Sequence, residues 1–364
     1  MRRIVLYGAT GYTGRLVAAA LVSARARPVL AGRSGQNLAA LGVQLGKGLD
    51  TAIADAADAE ALLNLFQPGD VVINTAGPFG RIGTPVVEAA IRRGATYLDS
   101  AGEPSFLRSV HEKMGPAAAE AEVAVIPGAA FEYAPGNLAA SLVIEGTGTD
   151  AVRVEVGYFI LGNLRKITSA GTKASVSAIA TELGFAWRGG ELVTVPPADE
   201  IRMFAVNGRQ RTGLSFGALE HLTLPKTFPW LREVGVYVGG PGSERLARIT
   251  RKFGGLAYKT PGVPETVRWL ASLPRNKDGP DEDERAQTGS LVIATSYDEH
   301  GRELRIARLG GGDPYTFSGR FLAWAAMRAA STGIDGKGAL GPLEAFGAQQ
   351  LRAGVKLAGL DVTQ

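Results

Sequence analysis

The stretch "YGATGYTGRLVAAAL", residues 7 to 21, decides how this chain is read. It follows the β-branched run "RRIVLY" and continues into an Ala-rich segment of helical spacing. Gly8, Gly11 and Gly14 therefore fall in a turn between a strand and a helix. Such a turn must reverse sharply, admit a pyrophosphate against its backbone and let the helix pack close on the sheet. A Cβ at any of the three positions obstructs one of these tasks. Thr10 and Thr13 add hydroxyl donors, and Tyr12 faces outward from the loop. Set inside a strand, turn and helix unit, the triplet predicts a nucleotide site rather than a plain structural turn.

The same rhythm recurs outward from this point. Strand-like "PVLAGRS", "DTAIADAAD", "DVVINTAGPFG", "ATYLDSAGE" and "VAVIPGAAF" alternate with helical "QNLAALGVQLG", "AEALLNLFQPG", "TPVVEAAIRRG" and "PSFLRSVHEKMGPAAAEA". The strands lack polar alternation and helices separate them, the signature of a parallel sheet covered on both faces. The expected class is α/β, with a Rossmann-like doubly wound parallel sheet over residues 1–130. A second α+β domain with a mixed sheet is expected over 131–317, and the C-terminal helices, about 318–364, are expected to pack back on the first domain. In the second domain "AVRVEVGYFI" reads as a partly alternating strand and "GTKASVSAIATELGFAWRGG" as a helix followed by a turn. "NKDGPDEDERAQ" reads as a charged loop, and "TGSLVIATSYDEHGRELRIARLGG" as a hairpin turning at residues 299–301.

The glycine spacing is G-x-x-G-x-x-G, so the end of the second strand must choose the nucleotide. NAD-type sites place an Asp or Glu there for the ribose hydroxyls. Here "AGRS" places Arg33 and Ser34. A guanidinium pairs with a 2′-phosphate and stacks on adenine, whereas a carboxylate repels that phosphate. NADPH is therefore expected over NADH. Asp55, at the end of the third strand, either accepts from the adenine amino group or caps the following helix. In doubly wound sheets the rest of a dinucleotide lies outside the carboxyl ends of the strands. That rule places Thr75, Ala76, Gly77, Pro78 and Phe79 of "TAGPF" and Ala101, Gly102 and Glu103 of "SAGE" beside ribose and nicotinamide. Phe79 reads as a pocket wall or as core; Glu103 reads as a ligand contact or as a cap for the helix beginning at Pro104.

Composition narrows the function. A chain of 364 residues supports two domains, and its 45% hydrophobic and 20% charged fractions are those of a soluble globular protein. The net charge of +4 is spread without a basic block, which argues against nucleic acid but suits a phosphorylated cofactor. No cysteine is present, which removes disulfides, thiolate metal sites and Cys nucleophiles. His111, His221 and His300 show no metal-ligand spacing. The chain opens on Met1, Arg2 and Arg3 and then a strand, so no signal peptide is expected, and no apolar run reaches the ~18 to 20 residues of a membrane span. A cytoplasmic protein is the expectation.

Several enzyme classes open with similar loops. Acyl-phosphate and semialdehyde reductases attack through a Cys thiolate, which this chain lacks. Short-chain dehydrogenases use a Tyr with a Lys four residues on, and no Tyr here has that partner. A reductase without a covalent nucleophile and a non-catalytic NADPH sensor both stay open. Beyond "GATGYTGRLVA" and "LAGRS", the chain carries "VVINTAGPFGRIGTPVVEAAIRRGATYLDSAGEPSFL" and "IPGAAFEYAPGNLAAS". It closes with "GGGDPYTFSGRFLAWAA" and "GALGPLEAFGAQQL". In these segments it resembles the saccharopine dehydrogenase-like oxidoreductases, a family that includes saccharopine reductase and the mycobacterial trans-acting enoyl reductases. It departs from the family's "GFDS-x-P-x-D" run by Glu132, Tyr133 and Asn137.

The resemblance implies hydride transfer from NADPH to a polarised double bond, C=C conjugated to a carbonyl or C=N, in a small-molecule or acyl substrate. It also implies a homodimer. Tyr133, Lys173 and His221 are the candidate proton donors, or else a packing residue, a surface charge and a loop residue respectively. Reduction of an amino-acid imine would call on Arg153, Arg165 and Arg202 to clamp carboxylates.

Overall fold

The computed structural model describes residues 1–46, 48–162, 183–239 and 279–363. The chain divides into two compact units, the first formed by Met1–Gly102, Phe106–Ala134 and Tyr315–Gly359. Its strands are β1 (Ile4–Tyr7), β2 (Val29–Gly32), β3 (Thr51–Ile53), β4 (Val71–Asn74), β5 (Thr96–Asp99) and β6 (Ala124–Ile126). They lie in the order β6, β5, β4, β1, β2, β3, all parallel, which is the doubly wound arrangement. Every residue of β1, β2 and β4 is buried, which is why these runs show no polar alternation. A further parallel strand, Gly338–Ala339, extends the sheet beyond β6. Two residues are too short a run to be read from sequence.

Helices α1 (Tyr12–Ser23), α2 (Gly35–Gln44), α3 (Ala59–Leu65) and α4 (Phe79–Arg92) connect the strands. Helix α4 starts at Phe79 and carries Pro85 inside it, earlier than the expected start at Thr84. The expected helix over 104–121 is interrupted. It consists of α5 (Pro104–Ser109), a π turn over Val110–Met114, and α6 (Gly115–Glu120). Pro116 has no N–H to continue an α ladder, and the wider turn accommodates it. The C-terminal helices Pro314–Thr332 and Pro342–Ala358 pack against each other through Gly354, where a Cβ would come within 2.5 Å of the Trp324 ring. Tyr315 meets Tyr12 edge-on at 5.1 Å, and Gly319 lies against Leu16.

The second unit comprises Glu103–Ser105, Pro135–Pro314 and Leu360–Gln364. Its main helix is α7 (Ala134–Glu145). Its strands are β7 (Arg153–Leu161), β8 (Gly184–Arg188), β9 (Glu191–Val195), β10 (Ile201–Val206), β11 (Arg209–Ser215), β12 (Glu233–Gly239), β13 (Gly289–Tyr297) and β14 (Glu303–Gly311), with Leu360–Thr363 last. β7 and β12 pair in parallel, while β13 pairs antiparallel with β7 and β14, so the sheet is mixed. Phe159, Phe204, Val206, Tyr237, Leu291 and Ile293 form its apolar core.

Two local expectations change here. "GFAWR" is strand β8, paired antiparallel with β9, and only Gly189 and Gly190 make the turn. The charged segment is partly helical: Asp281 and Glu284 form a capping box that starts helix Glu282–Ala286. Among the described residues, no helix is long and apolar enough to cross a membrane.

Candidate functional site

The cradle stands where strand β1 ends. Gly8 has φ +78°, and a Cβ there would lie 2.7 Å from the Ala76 nitrogen. At Gly14 a Cβ would lie 2.2 Å from the Gly8 carbonyl oxygen and 2.8 Å from that of Ala9. Gly8 N–H donates to the Ala31 carbonyl at 2.9 Å, and Gly11 N–H to the Gly8 carbonyl at 3.0 Å, which fixes the turn. Gly11 is the N-cap of α1, no side chain caps this end, and no acid lies in the first turn. The helix therefore presents Tyr12, Thr13 and Gly14 at an end that favours an anion, with Thr10 on the turn itself.

Arg33 follows β2 and is exposed, while Ser34 caps α2 by accepting from Asn37 N–H at 3.3 Å. Asp55 accepts from Ala57 N–H at 2.9 Å and so closes its own turn; the cap of α3 is Asp58. That excludes helix capping as the role of Asp55. The Tyr7 hydroxyl donates to the Ala54 carbonyl at 3.2 Å. Burial, and then the charge of Asp55, push this hydroxyl up to about 12, with Arg33 acting in the opposite sense. Tyr7, Arg33 and Asp55 thus share the carboxyl ends of β1, β2 and β3.

On the other side of the switch point a buried polar network joins three strands. Asn74 ends β4 and donates from its amide to the Tyr97 hydroxyl at 3.0 Å, and Tyr97 donates to Asp99 Oδ2 at 2.8 Å. Asp99 Oδ1 accepts from Ala101 N–H at 2.9 Å and from Gly128 N–H at 2.7 Å. Burial, then the field of Asp99, raise Tyr97 well above the ordinary phenol range, so it remains a donor. Asn74 Oδ1 accepts from Ala76 N–H at 2.9 Å, and the Thr75 hydroxyl donates to the carbonyls of Tyr7 and Gly8 at 3.1 Å. The loops after β4, β5 and β6 are therefore held in register. Sequence reasoning did not find this network, because its members meet only through the pairing of Asn74 with Asp99 across β4 and β5.

The remaining candidates divide. Gly77 and Pro78 are joined by a cis peptide, and Phe79 turns inward, 6% exposed, against Phe106 at 5.7 Å. Ala101 and Glu103 are buried, and Glu103 immediately precedes α5. Tyr133 is fully buried, and its hydroxyl donates to the Gly102 carbonyl at 3.2 Å. Its neighbour Glu132 stands out in the sequence only as a departure from the family pattern, yet its Oε2 is buried with no hydrogen-bond partner. Burial, and then the field of Asp99, push this carboxyl up to about 7.

In the second unit, His221 lies in helix Glu220–Thr227 rather than in a loop. It is buried, its Nδ1 lies 3.1 Å from the Ala218 nitrogen, and burial lowers its pKa to about 4. It is therefore a neutral packing group at physiological pH. Lys173 and Arg165 lie outside the described residues. Arg202 pairs with Glu155 at 2.8 Å, and Arg153 lies 3.8 Å from the same carboxylate and over the Tyr297 ring. Glu220, unremarked in the sequence, takes a short hydrogen bond from Tyr158, and burial pushes its pKa up to about 8. Among the described residues no His, Asp or Glu cluster can hold a metal ion.

Comparison with known proteins agrees with this geometry. The model of the saccharopine dehydrogenase NADP binding domain matches residues 4–126. A trans-acting enoyl reductase from Mycobacterium leprae is 36% identical over 140 residues, 37% of this chain and 34% of that protein. A lipid droplet localized protein from Caenorhabditis elegans is 31% identical over 163 residues, 42% of this chain and 38% of its own length. The matched stretches thus span only about a third of the length of these curated relatives. The structure of saccharopine dehydrogenase (L-Glu forming) from Saccharomyces cerevisiae has TM-score 0.62 at 14% identity, over 100% of this chain and 99% of that one, which is a shared fold. Residues 4–126 are thus similar to the saccharopine dehydrogenase NADP binding domain, a domain whose cofactor is NADP(H).

Proposed function

We propose that the chain is an NADPH-dependent reductase that delivers hydride to a polarised double bond of a small-molecule or acyl substrate. The observation that carries this reading is the cradle of Gly8, Gly11 and Gly14 with Arg33, rather than an acid, after β2. NADPH supplies the hydride from C4 of its nicotinamide ring. The chain binds and orients. The start of α1 takes the pyrophosphate, helped by Thr10, Tyr12 and Thr13, and Arg33 and Ser34 take the 2′-phosphate. Asp55 faces the adenine. Thr75, Ala76, Gly77 and Pro78 flank the ribose and nicotinamide together with Ala101 and Gly102, and the Asn74, Tyr97 and Asp99 network keeps those loops fixed for hydride transfer.

A C=C bond conjugated to a carbonyl is the favoured acceptor. Arg153 and Arg202, which an amino-acid imine would need as carboxylate clamps, are both engaged with Glu155. The test follows loss of NADPH absorbance with a panel of 2-enoyl thioesters and cyclic imines. Turnover is expected with an enoyl thioester and not with the imines. Binding of NADPH without turnover on any panel member contradicts the reading and favours a cofactor-sensing protein.

A further inference from the structure

Hydride delivery leaves an electron pair on the acceptor, at the enolate of an enoyl substrate or at the nitrogen of an imine. A proton must reach it. Near the carboxyl edge of β5 and β6 both tyrosine hydroxyl protons are committed: Tyr97 donates to Asp99 Oδ2 and Tyr133 to the Gly102 carbonyl. Asp99 itself accepts from three donors, Tyr97, Ala101 and Gly128. Glu132 differs from all of these, because its Oε2 is buried and unpaired.

Its backbone is also held. Phe131 N–H donates to Ser318 Oγ at 3.1 Å, the Tyr133 side chain is tied to Gly102, and Gly128 N–H is tied to Asp99. Glu132 therefore stands at a fixed place on the loop after β6, on the side of the switch point where the nicotinamide half of a dinucleotide lies.

Resting on the NADPH-reductase reading above, we infer that Glu132, as a carboxylic acid, donates the proton that completes the reduction. The carboxyl O–H bond breaks as the new C–H or N–H bond forms at the electron pair, while the hydride forms the other bond. The products are the reduced substrate, NADP+ and the Glu132 carboxylate, which recovers its proton from water. The elevated pKa of about 7, caused by burial and then by Asp99, keeps the acid form available at neutral pH. Asp99 on β5 is the charged group acting on it, and Tyr97 and Tyr133 supply the neighbouring hydroxyls.

The test needs no substrate. NADP+ carries a positive nicotinamide ring and NADPH does not, while both carry the same phosphates. If Glu132 adjoins that ring, NADP+ binding favours its carboxylate, and a shift of about one unit changes affinity about tenfold. Calorimetric titration of the full chain should show the ratio of NADP+ to NADPH affinity rising about tenfold as pH increases through neutrality. In Glu132→Gln the ratio should become flat while NADPH still binds. A flat ratio in the parent chain, with both nucleotides binding, overturns the role of Glu132 but leaves the cofactor reading intact. Binding of neither nucleotide overturns the reductase reading and this inference with it. If Glu132→Gln does not fold, 13C-carboxyl NMR of the parent decides: a Glu carboxyl titrating near neutrality and moving to lower pH with NADP+ alone supports the role, and its absence refutes it.

Discussion

Asp99→Ala lowers the unfolding free energy by about 3 to 5 kcal/mol, read from the shift of the urea midpoint at unchanged slope. The side chain is fully buried and accepts from Tyr97, Ala101 and Gly128. Alanine leaves three buried donors without an acceptor, and each stranded donor costs about 1 to 3 kcal/mol. Tyr97→Phe removes one donor to Asp99 and strands only the Asn74 amide, so it costs about 1 to 3 kcal/mol. The same alanine frees the loops after β5 and β6, so it also weakens NADPH binding. A loss below about 1 kcal/mol for Asp99→Ala would mean that the network is incidental.

Gly14→Ala should weaken NADPH binding by at least about 100-fold, equivalent to roughly 3 kcal/mol. The added Cβ meets backbone at 2.2 Å and 2.8 Å, the carbonyl oxygens of Gly8 and Ala9, and neither can rotate away. Helix α1 must retreat from the turn, which carries its N-terminal N–H groups away from the pyrophosphate. Overpacking of this kind also costs about 1 to 3 kcal/mol of stability. Calorimetric titration measures the first effect and thermal unfolding the second. An unchanged dissociation constant would show that the pyrophosphate does not lie on this turn.

The parallel sheet was legible because β1, β2 and β4 are short, fully buried and largely apolar runs set between helical segments. The cradle was legible because only backbone geometry, not a partner elsewhere in the chain, dictates its glycines. Other features required the third dimension. β10 and β11 alternate buried and exposed residues or carry several Arg and Gln, so "IRMFAV" and "RQRTGLS" look weakly structured as sequence. The capping box of Asp281 and Glu284 was present in "DEDE", where charge density masked it. Asn74, Tyr97 and Asp99 become partners only through strand register, and nothing local marks them. Glu132 is likewise ordinary as a letter; its burial and its proximity to Asp99 are what change its chemistry. Arg153 and Arg202 read as available cations, yet both pair with Glu155, Arg153 from two residues away on β7 and Arg202 from β10.

The central claim is that this edge of the sheet holds a phosphorylated dinucleotide through Arg33. The most direct measurement is a calorimetric titration of the parent chain and Arg33→Ala with NADPH and NADH. A guanidinium contact to the 2′-phosphate contributes about 1.5 to 3 kcal/mol, so the parent should bind NADPH roughly 10- to 100-fold more tightly than NADH. Arg33→Ala should remove most of that difference and leave NADH affinity nearly unchanged. Equal affinities for the two nucleotides in the parent chain would contradict the account.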